Sequence, residues 1–171
     1  MNVPIQDTQE FIIELEKQGE LKRVKTEVDQ DLEIAEILRR EMYSNGPAIL
    51  FENVKGHTMP VLGNAFGSMK RLEIGLEMAD FTEIGHRITD MTKMEMPSGL
   101  LNKIKKLPEL SKMTASFPKS QSSGLVTEVT STDASFDDLP IIKSWPDDAG
   151  RFITLGLIAT KHPETGVRNL G

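Results

Sequence analysis

Hydrophobic residues near the amino terminus recur with the spacing of helices. Phe11 and Leu15 share one face of a predicted helix that Asp7 is placed to cap and Gly19 to end. A second helix is predicted from apolar residues three or four positions apart. These residues are Leu32, Ala35, Leu38 and Met42.

Capping residues indicate where the second and third helices begin. Asp29 or Asp31 is placed to cap the second helix, and Ser68 is placed to cap the third. Between the helices, residues 24–28 alternate apolar and polar side chains, and two apolar runs lie between glycines and prolines. The alternation of helix and strand over residues 1–80 predicts a compact α/β domain.

The pattern changes beyond residue 80. Residues 81–115 are rich in Met and Lys and weakly periodic, which predicts a connector of short helices. From residue 116 the chain favours β structure: 124–131 alternates, and 151–160 predicts one long strand before a tight turn. The last five residues predict a second strand with nothing after it, so we expect the sequence to be a fragment.

Composition narrows the functional class. The net charge of −6 argues against general affinity for nucleic acid or anionic membranes, which require a basic face. The chain has no cysteine, which excludes disulfides, thiolate metal sites and cysteine nucleophiles. The start lacks a secretory signal, and the apolar runs are too short to span a bilayer. We expect a cytoplasmic protein.

Common catalytic motifs are missing from the sequence. It contains neither a Gly-x-Ser-x-Gly elbow nor a phosphate-binding glycine loop. The histidines stand in unrelated contexts and are interpreted as surface or turn residues; they are His57, His86 and His162. The paired carboxylates are interpreted as solvated turn formers; they are Asp137 with Asp138 and Asp147 with Asp148.

Two features leave a binding role open. The helix beginning after Ser68 carries Lys70 and Arg71 and could hold an anion, although a plain helix cap is the simpler interpretation. Asn169 follows a predicted turn and carries an amide oxygen of the kind that suits Mg²⁺ or Mn²⁺. An asparagine at such a position is also often structural, because it favours turns.

Four stretches together resemble the UbiD family of decarboxylases. They are FIIELEKQGELKRVKTEVDQDLEIAEILRR, GPAILFENVKG, MPVLGNAFGSMKR and WPDDAGRFITLGLIATKHPETGVRNLG. The resemblance implies an α/β (α+β) fold: a three-layer-like amino-terminal domain over 1–80, then a helical connector over 81–115. It also implies that 116–171 begins a split β-barrel of the flavin-reductase type, which binds prenylated FMN and is truncated here.

The resemblance implies a reversible carboxy-lyase of aromatic or α,β-unsaturated acids that uses prenylated FMN, Mn²⁺ and usually K⁺. The cofactor is the electron sink. A quinone precursor such as a 4-hydroxybenzoate derivative is one implied substrate, and an archaeal isoprenoid (mevalonate) pathway acid is another. A flavin prenyltransferase would supply the cofactor, and the full-length protein would be a homo-oligomer. Neither nucleic acid nor a stable membrane anchor is implied.

The family's Arg-Asn-x-Gly strand places its asparagine on the metal that bridges the flavin phosphate, and here that residue is Asn169. Thr154 matches a family position beside the flavin, and Arg168 is expected to point the other way. The His and Glu ligands and the catalytic residues are expected downstream of Gly171. The 171-residue chain alone is therefore predicted to be inactive.

Two other classes of protein stay open on the sequence. One is a non-catalytic α/β module whose carboxy-terminal β segment is an interaction arm with an open strand edge. The other is an independent flavin-binding domain like a reductase, for which the number of predicted strands is low.

Overall fold

The computed structural model describes residues 5–78, 80, 82–92, 122–124 and 127–171. The chain forms two compact units: Met1–Met78 with Ser135–Gly171, and Ala79–Ala134. The helices are α1 (Thr8–Lys17), α2 (Glu33–Tyr43), α3 (Met69–Leu76) and α4 (Thr82–Thr92). The strands are β1 (Leu21–Val24), β2 (Ala48–Phe51), β3 (Val61–Gly63), β4 (Ala159–Lys161) and β5 (Arg168–Leu170). Within the described residues, no helix is long and apolar enough to cross a membrane.

The first unit is built around a three-stranded sheet in the order β1-β2-β3. β1 and β2 are parallel, with Leu21 opposite Ala48, and β2 and β3 are antiparallel, with Ile49 opposite Gly63. Parallel neighbours require a long crossover, and α2 supplies it. All four residues of β2 are buried, so both faces of the central strand are covered.

The hydrophobic core lies on both faces of this sheet because successive side chains of a strand point to opposite sides. On one face, Ile49 and Phe51 of β2 pack with Ile34 of α2. On the other face, Ala48 packs with residues of α1, Phe11 and Leu15. Helices therefore cover both sides of the sheet, as the alternation of helix and strand predicts.

Local capping signals correctly predict the starts of two helices. The Asp7 carboxylate accepts a hydrogen bond from the backbone N–H of Glu10 at 2.9 Å, and the Glu10 carboxylate accepts one from the N–H of Gln6 at 2.8 Å. The Ser68 hydroxyl accepts a hydrogen bond from the N–H of Arg71 at 3.2 Å. The caps predicted at Asp7 and Ser68 are confirmed.

The predicted cap of α2 is wrong. Neither Asp29 nor Asp31 caps the helix; Leu32 precedes it with a φ of 69°, in the left-handed region. The N–H of Leu32 donates to the carbonyl of Lys143 at 3.1 Å, and the N–H of Lys143 donates to the carbonyl of Gln30 at 3.0 Å. This long-range pairing fixes the turn at Leu32, and the helix begins there without a side-chain cap.

The carboxy-terminal segment has less strand than the sequence predicts. The long strand expected over 151–160 is wrong: residues 154–155 form a turn, and strand begins only at β4. The described residues 127–131 also form no strand. A strand requires a neighbour to pair with its backbone N–H and C=O groups. Among the described residues, β4 pairs only with β5, over three residue pairs, so the predicted hairpin is confirmed but short.

The segment before the hairpin packs on the amino-terminal sheet unit. Ile142 lies against the core cluster that includes Ile34 and Phe51. The domain boundaries at 80/81 and 115/116 stay predictions. Of the expected connector over 81–115, α4 is described, and residues 93–115 lie outside the described residues.

The left-handed backbone at Leu32 gives a stability prediction. We expect Leu32→Gly to be more stable than Leu32→Ala by about 1 kcal/mol, because only glycine adopts a positive φ without a steric cost. Both variants lose the leucine side chain, so each controls for its packing. Urea denaturation curves of the two proteins would measure the difference, and an alanine variant as stable as the glycine variant would contradict it.

Candidate functional site

The carboxy-terminal hairpin is held together at both ends. At its base, Ile158 and Gly171 exchange two backbone hydrogen bonds of 2.8 and 3.0 Å. At its turn, the N–H of His162 donates to the carbonyl of Val167 at 2.8 Å, and Gly166 has a φ of 70°. The hairpin is thus a defined element on which a side chain can be presented.

His162 has a structural role in that turn. Its Nδ1 accepts hydrogen bonds from the backbone N–H groups of Glu164 and Thr165, both at 3.2 Å. An imidazole nitrogen used in this way is not free to bind a metal. The interpretation of His162 as a turn residue is confirmed.

Asn169 lies on β5 directly opposite Thr160 of β4, and both residues are exposed. Side chains alternate along a strand, so these two lie on one face of the hairpin. Arg168 and Lys161 are also opposite each other and share the other face. The expectation that Arg168 points away from Asn169 is confirmed.

The described residues fit a single ligand position for a hard cation. Asn169 offers one exposed amide oxygen, a donor suited to Mg²⁺ or Mn²⁺. Among the described residues, no group of three or more His, Cys, Asp and Glu side chains is placed to hold a metal. Any cation at Asn169 would therefore need more ligands than a cluster of such side chains among the described residues provides. The metal role of Asn169 stays a prediction.

Thr154 is exposed and lies in a turn that precedes the hairpin, not on the predicted strand. It makes no hydrogen bond with Asn169 among the bonds between described residues. The structure thus places the two candidate residues on separate elements of the same segment. The role of Thr154 beside a flavin stays a prediction.

One carboxylate of each adjacent pair, Asp138 in one and Asp148 in the other, stabilises a turn, as predicted. The Asp138 carboxylate accepts a hydrogen bond from the N–H of Ser135 at 2.8 Å. The Asp148 carboxylate accepts one from the N–H of Trp145 at 2.9 Å. Carboxylates held by nearby backbone donors in exposed turns are structural.

The basic residues at the start of α3 are engaged by one carboxylate. Lys70 Nζ lies 2.9 Å from Glu20, and an Arg71 guanidinium nitrogen lies 3.0 Å from the same side chain. Arg71 is 2% exposed, and its Nε has no partner within the described residues. The hydrogen bond from Lys70, assisted by that from Arg71, holds the pKa of Glu20 below its usual value. This ion-pair cluster explains Lys70 and Arg71 without a bound anion.

A cavity of about 680 Å³ lies between α2 and the loop that follows Ile142. Apolar and aromatic side chains supply most of its walls: Leu32, Ala35, Leu38, Met42, Tyr43, Ile142, Trp145 and Pro146. The apolar stripe of α2 lines this groove; Leu38 also packs against the core cluster, whereas Met42 is 60% exposed. Ile34, outside the stripe, is the residue of α2 that is fully buried.

A cluster that the sequence analysis missed joins Gln30, His57 and Arg151. With the Gln30 carboxamide oriented to match its neighbours, its oxygen accepts from both terminal nitrogens of Arg151, at 2.9 and 3.2 Å. His57 Nε2 lies 2.9 Å from the carboxamide oxygen and 3.1 Å from the carboxamide nitrogen. These residues are far apart in the sequence, and no local pattern signals their contact.

Two models of one family match the chain in order. The model of the 3-octaprenyl-4-hydroxybenzoate carboxy-lyase (UbiD) N-terminal domain matches residues 12–90. The model of the UbiD Rift-related domain matches residues 118–171. Together the two matches cover most of the described residues.

Curated relatives are much longer than this chain. An uncharacterized protein of Aquifex aeolicus is 45% identical over 174 residues, which cover 100% of this chain and 36% of that protein. Another, of Archaeoglobus fulgidus, is 41% identical over 166 residues, covering 97% of this chain and 34% of that protein. The chain thus spans about a third of the length of these relatives.

Solved structures share the fold. An evolved dimeric form of the UbiD-class enzyme HmfF from Pelotomaculum thermopropionicum, in complex with prFMN, matches with a TM-score of 0.66 and 25% identity, covering 95% of this chain and 34% of that one. Vanillic acid decarboxylase of Sedimentibacter hydroxybenzoicus matches with a TM-score of 0.67 and 23% identity, covering 99% and 35%. The second likeness shows the fold alone. The mixed α/β fold is confirmed, and the split barrel stays a prediction.

The buried ion pair gives a second stability prediction. Glu20→Gln leaves the buried Arg71 guanidinium without its counter-charge, and we expect a loss of about 2–3 kcal/mol in the free energy of unfolding at neutral pH. Glu20 has a lowered pKa, so its contribution is present above the unfolded-state value of 4.5 and is lost as pH falls through the folded-state value.

The difference between wild type and Glu20→Gln should therefore shrink in acid. Denaturant titrations near neutral pH and at about pH 3 would measure it. Glu27→Gln, at an exposed site, is the matched control for loss of one carboxylate. A difference that does not change with pH would contradict the assignment to Glu20.

Proposed function

Because the chain belongs to the UbiD family, we propose that it forms the front part of a decarboxylase that acts on small carboxylic acids with prenylated FMN. The observation that carries the proposal is the ordered match of two carboxy-lyase domain models to residues 12–90 and 118–171. The likeness to a prFMN complex of a UbiD-class enzyme supports the choice of cofactor. The proposed activity is that of a longer protein, called the holoenzyme here, which would also contain the regions of the relatives that this chain does not cover.

Asn169 is the residue of this chain that we assign to the metal. Its exposed amide oxygen on β5 would provide one ligand to Mn²⁺, which would also bind the flavin phosphate. The short stem and paired strand would hold that oxygen in a fixed direction. Thr154 would lie against the flavin. K⁺ would be a second cation of the site.

When bound, prenylated FMN supplies the electron sink for loss of CO₂. Asn169 and Thr154 of this chain would help to bind and orient the cofactor, and the catalytic acid and base would come from elsewhere in the holoenzyme. Aromatic or α,β-unsaturated acids are the proposed substrate class, with a quinone precursor such as a 4-hydroxybenzoate derivative and an isoprenoid-pathway acid as the specific candidates. A flavin prenyltransferase would supply the cofactor to a cytoplasmic homo-oligomer.

Decarboxylation is tested with the holoenzyme that contains this chain, prepared together with a flavin prenyltransferase. We expect CO₂ release from at least one aromatic or α,β-unsaturated acid, and exchange of labelled bicarbonate into that acid, because the reaction is reversible. The same protein loaded with unmodified FMN is the control and should release no CO₂. If the prenylated form released no CO₂ from hydroxybenzoate-type, cinnamate-type or isoprenoid-type acids, the proposal would be refuted.

The metal assignment is tested by Asn169→Ala in the holoenzyme. Loss of one of the oxygen ligands should weaken manganese binding by at least about tenfold, with a parallel loss of bound flavin. Arg168→Gln is the matched control, since it alters the neighbouring residue on the opposite face of the same strand. Metal analysis and flavin absorbance report both effects. Wild-type manganese and flavin content in the alanine variant would rule out this role.

A further inference from the structure

We propose that Gln30 is a positioning residue: its side chain binds Arg151 and thereby sets where the carboxy-terminal arm, residues 151–171, presents Asn169. This inference rests on the proposed function, because the metal role of Asn169 belongs to that proposal. Gln30 itself lies at the junction between β1 and α2, far along the chain from the arm.

The side chain of Gln30 is buried where it binds Arg151. It is 6% exposed, and its carboxamide oxygen accepts hydrogen bonds from both terminal nitrogens of Arg151. A guanidinium only donates hydrogen bonds, so Arg151 fixes which way the carboxamide oxygen points. His57 Nε2 lies 2.9 Å from the carboxamide oxygen and 3.1 Å from the carboxamide nitrogen, within hydrogen-bond distance of both.

The backbone of Gln30 reaches the same segment from a second direction. Its carbonyl accepts a hydrogen bond from the N–H of Lys143 at 3.0 Å. The N–H of Phe152 donates to the carbonyl of Ile142 at 3.2 Å, so the loop between residues 143 and 151 is closed at its base. Gln30 is therefore bonded to both ends of that loop, by its main chain at one end and its side chain at the other.

Few contacts hold the arm beyond this point. Every residue from 151 to 171 is exposed. Between described residues, two contacts join the arm to the rest of the first unit by hydrogen bonds: Arg151 with Gln30, and Phe152 with Ile142. Within the part of the chain that the structure describes, loss of the first leaves a single backbone bond, about which the arm can pivot.

Charge reinforces the contact. Asp29, next to Gln30, is close enough to Arg151 for that guanidinium to help lower the pKa of the Asp29 carboxyl, after the larger effects of its bonds to Lys55 and to the N–H of Asp31. Arg151 thus binds a buried amide oxygen and lies within electrostatic reach of a carboxylate. A ligand to a metal must be placed within about 0.2 Å. A pivot at the root of the arm would move Asn169 by more than that tolerance.

The test compares Gln30→Leu with Gln30→Glu in the holoenzyme. Leucine keeps most of the volume but cannot accept a hydrogen bond, whereas glutamate can bind Arg151 through both carboxylate oxygens. Hydrogen exchange at the Phe152 amide reports the root of the arm, and manganese titration of the folded protein reports the site. We expect Gln30→Leu to speed exchange and weaken manganese binding, each by about tenfold, and Gln30→Glu to restore both.

Arg151→Ala should reproduce the leucine variant, and the double variant Gln30→Leu/Arg151→Ala should be no worse than either alone. If Gln30→Leu leaves hydrogen exchange at the Phe152 amide unchanged, the contact between Gln30 and Arg151 does not hold the arm, regardless of the measured manganese affinity. Faster exchange with unchanged manganese affinity would overturn the positioning role, provided that Asn169→Ala lowers that affinity. If Asn169→Ala is silent as well, the proposed function is what fails.

Discussion

The pairing of Lys143 with the chain between Gln30 and Leu32 is the interaction on which most of the first unit depends. Its two backbone hydrogen bonds join segments separated by more than half of the sequence. They hold Leu32 in the left-handed region, and α2 therefore begins there. They also set Ile142 against the core and the following loop against α2, which creates the groove. One long-range contact thus determines a helix start, a cavity and the root of the carboxy-terminal arm.

The limits of the sequence analysis follow from this contact. Caps at Asp7 and Ser68 and the helix end at Gly19, with a φ of 71°, depend on neighbours within a few residues, and the sequence predicts them. The cap of α2 and the contact of Gln30 with Arg151 depend on distant partners, and it does not. The strand expected over 151–160 has the right residues, but among the described residues it pairs as a strand only from residue 159.

The candidate site divides in the same way. Strand alternation is local, so the sequence correctly puts Arg168 and Asn169 on opposite faces of the hairpin. The assignment of Asn169 to a metal came from the family resemblance, because an exposed asparagine beside a turn is chemically ordinary. The described residues add an exposed amide oxygen on a paired strand, but no group of three or more His, Cys, Asp and Glu side chains placed to hold a metal. Asn169 can contribute one ligand to a metal site, and a complete site would need further oxygen or nitrogen ligands.

Buried charge explains why the other candidate site, the possible anion site at the start of α3, is filled by a side chain of the protein, Glu20. Arg71 is almost fully buried, and a guanidinium removed from water needs a counter-charge. Glu20 provides it and also pairs with Lys70, so both side chains that could have received an anion are already engaged by one carboxylate within the fold. On the hairpin of the arm, by contrast, basic side chains face each other without an acidic partner among the described residues. Arg168 and Lys161 face each other as like charges on an exposed surface, and Asn169, on the other face, adds no charge of its own to a site that would receive a cation and a phosphate.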